Sequence, residues 1–105
     1  MSTPAQGEIW WAELPDAGRR PTLVMTRDAA IPVLRTIVVA PVTRTIRDIP
    51  TEIPLGPDQG LSTQSVASVD NVQPIPRWAL TERIGSLGLS ARSRICAALG
   101  AMADC

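Results

Sequence analysis

The chain has 105 residues, 45% of them hydrophobic and 19% charged, with ten basic residues against ten acidic ones, which describes one domain with one core, able to fold without disulfides or a structural metal. It contains no His, Tyr or Phe, and the missing imidazole excludes Ser-His-Asp and Cys-His catalysis, two-histidine ribonuclease chemistry and His-ligated zinc. No apolar run approaches the roughly 18 residues of a membrane span, and the short polar stretch Met1–Gly7 lacks the basic start of a signal peptide, so the expected compartment is the cytosol.

Gly7–Leu14 (GEIWWAEL) reads as a strand closed by the turn Pro15-Asp16-Ala17-Gly18. Its Trp10 and Trp11 point to opposite faces, so one can enter the core while the other serves as a stacking platform or interface anchor; for either alone, core or dimer packing is expected. Pro21–Thr26 (PTLVMT) is a second strand, with Arg20 held extended at its entrance by the proline. Thr36–Thr43 (TIVVAPVT) is the most β-rich segment: Ile37 and Val39 fall on one face, Val38, Ala40 and Val42 on the other, as in a central strand buried on both sides. Thr51, Ile53 and Leu55 alternate with Glu52 and Pro54, the pattern of a half-exposed or edge strand before the Gly56-Pro57-Asp58 turn. Ser65–Val72 and Leu80–Leu87 are weaker strands separated by the proline-containing stretch Gln73–Arg77, making about six strands in all.

From Ala91 the period changes. Ile95, Ala98, Leu99 and Met102 follow i, i+3, i+4, i+7, the core stripe of a helix for which Ser90 is placed as the cap. Arg92 and Arg94 lie in its first turn, where the helix dipole disfavours cations, so they answer either to a group outside the helix or to solvent alone. Short strands followed by one helix imply a mostly β fold, a small bent sheet or barrel with a C-terminal α-helix packed on it. Cys96 and Cys105 are too few for a disulfide framework and read as free thiols.

Every basic residue is Arg, and the zero net charge hides a block. Arg19–Arg47 holds six Arg against Asp28 alone, whereas Asp48–Ile75 holds four acids and no Arg. Arg grips phosphate at two points with a planar, permanently charged fork, which makes a phosphate ligand worth considering. On composition alone the favoured reading is genome base composition with solvated side chains, and charge by itself decides nothing.

Several blocks in order resemble the MazF/PemK family of toxin-antitoxin endoribonucleases: Gly7-Glu8-Ile9-Trp10; then Gly18-Arg19-Arg20-Pro21 running into an apolar strand, similar to the family's G-x-R-P; then Ile37–Thr43, an apolar strand ending in Thr; then Ser65-Val66 through Asp70-Asn71-Val72, and Leu80–Gly85. The resemblance spans Gly7 to Met102 and implies an SH3-like barrel of the CcdB/MazF type, a homodimer, and a single toxin domain over residues 1–105. It also implies sequence-specific cleavage of single-stranded RNA and restraint by a cognate antitoxin protein. Carried over by position, the family's catalytic Arg falls on Arg20 and its strand-end Thr on Thr43. The stretch before this Arg, only Pro15 to Arg19, is shorter than the family's usual loop, which leaves substrate contacts from that loop in doubt.

The chemistry can be argued from the side chains. When a ribose 2′-OH attacks the neighbouring phosphorus, charge builds on the nonbridging oxygens, and two fixed donors beside them, Arg20 and the Thr43 hydroxyl, stabilise that state above the ground state. No cofactor or metal is required, and the expected products are 2′,3′-cyclic phosphate and 5′-OH ends. Arg stays protonated and makes a poor base; Glu13, Asp16 and water are candidate proton acceptors, none preferred. Arg19, Arg44 and Arg47 flank the catalytic pair in sequence and are candidate RNA-phosphate contacts, or else solvated charges. Two alternatives remain, a CcdB-like topoisomerase poison and a non-catalytic SH3-like interaction module. Against the second stands an aromatic content of 3%, low for an aromatic-lined peptide groove.

Overall fold

In the computed structural model, which describes residues 3–105, the chain runs through β1 (Glu8–Leu14), β2 (Gly18–Val24), β3 (Thr36–Thr43), β4 (Glu52–Leu55), β5 (Ser65–Ser68), β6 (Gln73–Pro76), β7 (Leu80–Ser86) and α1 (Ala91–Ala103). Met1 and Ser2, part of the stretch read as too short for a leader, lie outside the described residues. Every strand pairing is antiparallel, in the order β4-β5-β3-β2-β1-β7, with β6 also on β3.

β3 is the hub of this bent sheet. Its first half pairs with β6 and its last two residues with β5, while Val39–Pro41 pair with β2 on the other side. Pro41, which has no N–H to donate, stands between the two differently paired halves. Register shifts at Ile9/Trp10 and Trp11/Ala12 add curvature where β1 meets β7.

The seventh strand corrects the expectation of six: Gln73–Pro76 is a strand rather than a proline-rich connection. Val38 donates its N–H to Thr26 Oγ1 and accepts from Met25 N–H, both away from β6, so the opposed Val38 and Pro74 exchange no hydrogen bonds. Pro74 and, two residues on, Pro76 therefore lose nothing in the ladder by lacking an N–H. β5 is shorter than expected because the chain turns into a 3-10 helix at Val69–Asn71, and β2 is longer, so Arg20 sits inside the strand opposite Ala12 rather than at its entrance.

The two faces of the sheet bury two apolar clusters. Ile9, Leu23, Ala40, Ile53, Leu55 and Ala67 pack against Ala91, Ile95 and Ala98 of α1. Trp10, Val24, Ile37, Val39, Ile75 and Leu80 form the other. Val38, expected to be buried, is 38% exposed: β6 pairs along the edge of β3 and covers neither face, and the apolar cluster that takes in Ala40 does not include Val38.

Three of the four stripe residues of α1 are covered, but Met102, in its last turn, is exposed. Ser90 does not cap the first turn: it is the last residue of a 3-10 turn, Gly88–Ser90, already in helical geometry (φ −84°, ψ 0°), and its hydroxyl donates back to Leu87 O instead. Arg94 does answer to a group outside the helix, donating to Pro54 O of β4 at 2.7 Å. Cys96 and Cys105 are free and exposed. Among the described residues no helix is long and apolar enough to cross a membrane.

Candidate active site

β2 and β3 are paired through Thr22↔Pro41, and beyond that pair the strands part. Continuing the register two residues sets Arg20 opposite Thr43, across the gap where the ladder has opened. Both side chains line one cleft of about 610 Å³, with Trp11, Arg44, Ser62 and Thr63 among its other walls. The far wall is fixed by close backbone approach. A side chain at Gly85 of β7 would collide with Gln59 O, and Gly60, at φ +88°, would place a Cβ 2.6 Å from Ile84 O, so the turn carrying Ser62 and Thr63 can settle on β7 only with glycine at both places.

Arg20 is exposed and donates through Nε to Ala17 O at 3.3 Å, which leaves its terminal nitrogens directed by the turn but without a carboxylate among the described residues. The half-buried Thr43 accepts at Oγ1 from Thr45 N–H at 3.1 Å, and its own hydroxyl proton stays free to donate. Among the described residues no Asp or Glu lines the cleft. Of the carboxylates considered as proton acceptors, Glu13 accepts from Thr81 Oγ1 at 2.6 Å and lies 3.6 Å from Arg19 Nε, and Asp16 sits in the β1–β2 turn outside the cleft lining.

The three candidate phosphate contacts separate. Arg44 lines the cleft directly after Thr43. Arg19 does not: its guanidinium lies 4.4 Å above the Trp11 ring and donates to Glu82 at 2.7 Å, so its charge is matched within the protein. Trp11 is thereby pinned at the cleft wall while Trp10 is buried in the core. Arg47 also stays out of the lining, in the loop after β3.

Glu52 shapes that loop, a role the alternation pattern missed by placing it on an exposed face. It is buried, and its carboxylate accepts from Arg47 N–H and Asp48 N–H, both at 2.9 Å, which holds Asp48 in the left-handed region at φ +57°. Two backbone donors thus meet a charged acceptor that burial would otherwise penalise. A second acid, Glu8, braces the opposite edge of the sheet. Burial alone would raise its pKa, but hydrogen bonds from Trp10 Nε1, Arg83 Nε and Ala5 N–H, with the Arg83 charge, hold it below the usual carboxylate value.

Residues 5–103 match the model of a family described as PemK-like, MazF-like toxin of type II toxin-antitoxin system. The chain belongs to this family. Its MazF-named relatives include the probable endoribonuclease MazF5 of Mycobacterium tuberculosis (strain ATCC 25618 / H37Rv), 42% identical over 103 residues that cover 97% of this chain and 94% of the relative. Among solved structures, Mycobacterium tuberculosis toxin MazF-mt6 superposes with a TM-score of 0.84 at 38% identity, covering 92% of this chain and 96% of that one. An endoribonuclease in complex with its cognate antitoxin from Mycobacterial species gives 0.82 at 26% identity, with 96% and 95% covered. The mostly β sheet with its C-terminal helix is accordingly the MazF-type fold.

Proposed function

We propose that this MazF-family chain is the toxin of a type II toxin-antitoxin pair, a single domain over residues 1–105 that acts in the cytosol as a homodimer. It cleaves single-stranded RNA at specific short sequences without a metal and is neutralised by a cognate antitoxin. The observation that carries the proposal is the opposition of Arg20 and Thr43 across the parted ends of β2 and β3, in a cleft lined by no carboxylate.

An RNA strand laid in this cleft meets positive charge from Arg20 and Arg44 with no acidic wall to repel it. As the 2′-OH attacks, the Arg20 fork and the Thr43 hydroxyl donate to the nonbridging oxygens, where charge accumulates most in the transition state. The proton of the 2′-OH leaves to water, since Glu13 is engaged by Thr81 and Arg19. As the O2′–P bond forms the P–O5′ bond breaks, and the leaving 5′-oxygen takes a proton from water, which gives a 2′,3′-cyclic phosphate and a 5′-OH.

Incubating the purified chain with a long RNA in EDTA and mapping the ends tests this. Discrete cuts that carry these termini, and that are lost in Arg20→Ala and Thr43→Ala, are expected. Intact RNA with the wild type would reject nuclease activity, and equal cutting by all three proteins would reject the site.

A further inference from the structure

A second concavity, about 830 Å³, lies at the other end of β3, with Arg35, Thr36, Pro76, Arg77 and Trp78 among its walls and no Asp or Glu among them. Trp78 sits in the 3-10 turn Arg77–Ala79 and is 67% exposed, while the neighbouring Ala79 and Leu80 are buried. Its position is fixed rather than loose. Arg77 N–H donates to Arg35 O at 3.0 Å, and Arg77 Nη1 donates to Ile31 O at 2.9 Å and Pro32 O at 3.2 Å. Those acceptors are neutral, so they orient the fork and leave its charge uncompensated. Arg35 makes no ion pair among the described residues.

We propose that this groove is a second RNA-binding site, in which a base of the substrate strand stacks on Trp78 while Arg35 and Arg77 hold the flanking phosphates. The proposal rests on the reading of the first cleft as the RNA-cleaving site. An exposed indole face beside two cations is the combination that binds single strands without regard to sequence, because every base has a π-face and every linkage a charge. Thr36 lines the groove and Thr43 the cleft, so the eight residues of β3 span the distance between them, about 23 Å at the rise of an extended strand. A strand long enough to occupy both sites is held at two points, which favours long RNA over short fragments. Arg35 belongs to the basic block Arg19–Arg47 yet lines no part of the cleft.

The test measures binding of fluorescein-labelled 2′-O-methyl RNA, which lacks the attacking hydroxyl, using mixed-sequence oligomers of about 16 and about 4 nucleotides. Cutting of unmodified RNA is assayed on the same samples. The wild type should bind the long oligomer more tightly than the short one, and Trp78→Ala should weaken the long complex roughly 5-fold to 100-fold, collapsing that ratio. Arg35→Ala, which removes a side chain that makes no hydrogen bond or ion pair among the described residues, should lower the slope of log affinity against log salt by about 0.7 for the long oligomer.

If the wild type cuts RNA and both variants keep its affinity and salt slope, the groove proposal is wrong and the cleft reading stands. A changed oligomeric mass in Trp78→Ala, with RNA affinity intact, would mark the face as a protein contact and also overturn it. Absence of cutting by the wild type removes the cleft reading and this one together.

Discussion

The two sides of the sheet treat arginine differently. Along the β1–β7 edge the guanidiniums meet carboxylates: Arg19 meets Glu82 and Glu13, and Arg83 meets Glu8. At the mouth between β2 and β3, Arg20 and Arg44 have none among the described residues. Arg19 and Arg20 are chain neighbours, yet one is neutralised against Trp11 while the other faces an open cleft. The positive field is set by which arginines the fold leaves unmatched, and the segment charge of Arg19–Arg47 says little about it.

The largest expected effect breaks the unmatched side. In the proposed mechanism Arg20→Ala removes a donor to developing charge, and single-turnover cleavage should slow about 10²-fold to 10³-fold, roughly 3 to 4 kcal/mol of transition-state stabilisation, with the fold intact by circular dichroism. Loss of tenfold or less would mean that the cleft's field, rather than this one fork, carries catalysis.

Glu52 stands behind the unmatched side, a buried carboxylate whose partners among the described residues are loop N–H groups. Glu52→Ala leaves both loop N–H donors without an acceptor and should cost about 2 kcal/mol in urea unfolding, and it should slow cleavage because Arg44, at the start of the same loop, loses its fixed position. Glu52→Gln retains an Oε1 acceptor and should recover most of both losses. Equal damage from Ala and Gln would show that the charge, and not the acceptor geometry, holds the loop.

Sequence patterning reached the elements whose signal is local. Thr36–Thr43 matches β3 residue for residue because its run of β-branched residues is bounded by turns, and Ile95, Ala98 and Leu99 are covered as their spacing requires. The pairings that organise charge are not local: Arg19 and Glu82 lie 63 positions apart, and only the β2–β1–β7 order brings them together. β6 was hidden because proline signals a break unless the strand's partner and hydrogen-bonding phase are known. Glu52 was hidden because alternation places a carboxylate outside, and nothing in the residues around it announces two loop N–H groups waiting to be met. The proposed pair Arg20 and Thr43 came from family resemblance; what the fold adds is the shared register of β2 and β3 at the point where they separate.

The matched side should show itself in acid. Because Glu8 titrates below its unfolded value, the folded chain binds fewer protons than the unfolded one between the two pKa values. The contribution is complete above the ordinary carboxylate range and is lost as pH falls through the folded pKa. Urea midpoints measured from about pH 6 down to about pH 3 should therefore fall less steeply for Glu8→Gln than for the wild type. Parallel curves would remove Glu8 from the acid response.

The smallest effect sharpens the comparison most, because it concerns the chain neighbour of the proposed catalytic Arg20. Arg19 and Glu82 side chains are 45% and 66% exposed, and ion pairs so open to water contribute at most about 1 kcal/mol. Arg19→Ala should therefore lower stability by no more than that. It should slow cleavage less than about 5-fold, through uncovering Trp11 and leaving Glu13 and Glu82 as unbalanced negative charge beside the cleft. Arg19→Ala combined with Glu82→Ala removes most of that imbalance and should cut faster than Arg19→Ala alone. A loss in Arg19→Ala as large as that in Arg20→Ala, not relieved in the double variant, would mean that the paired guanidinium leaves its carboxylates to meet the substrate, and the division between matched and unmatched arginines would no longer describe how this cleft works.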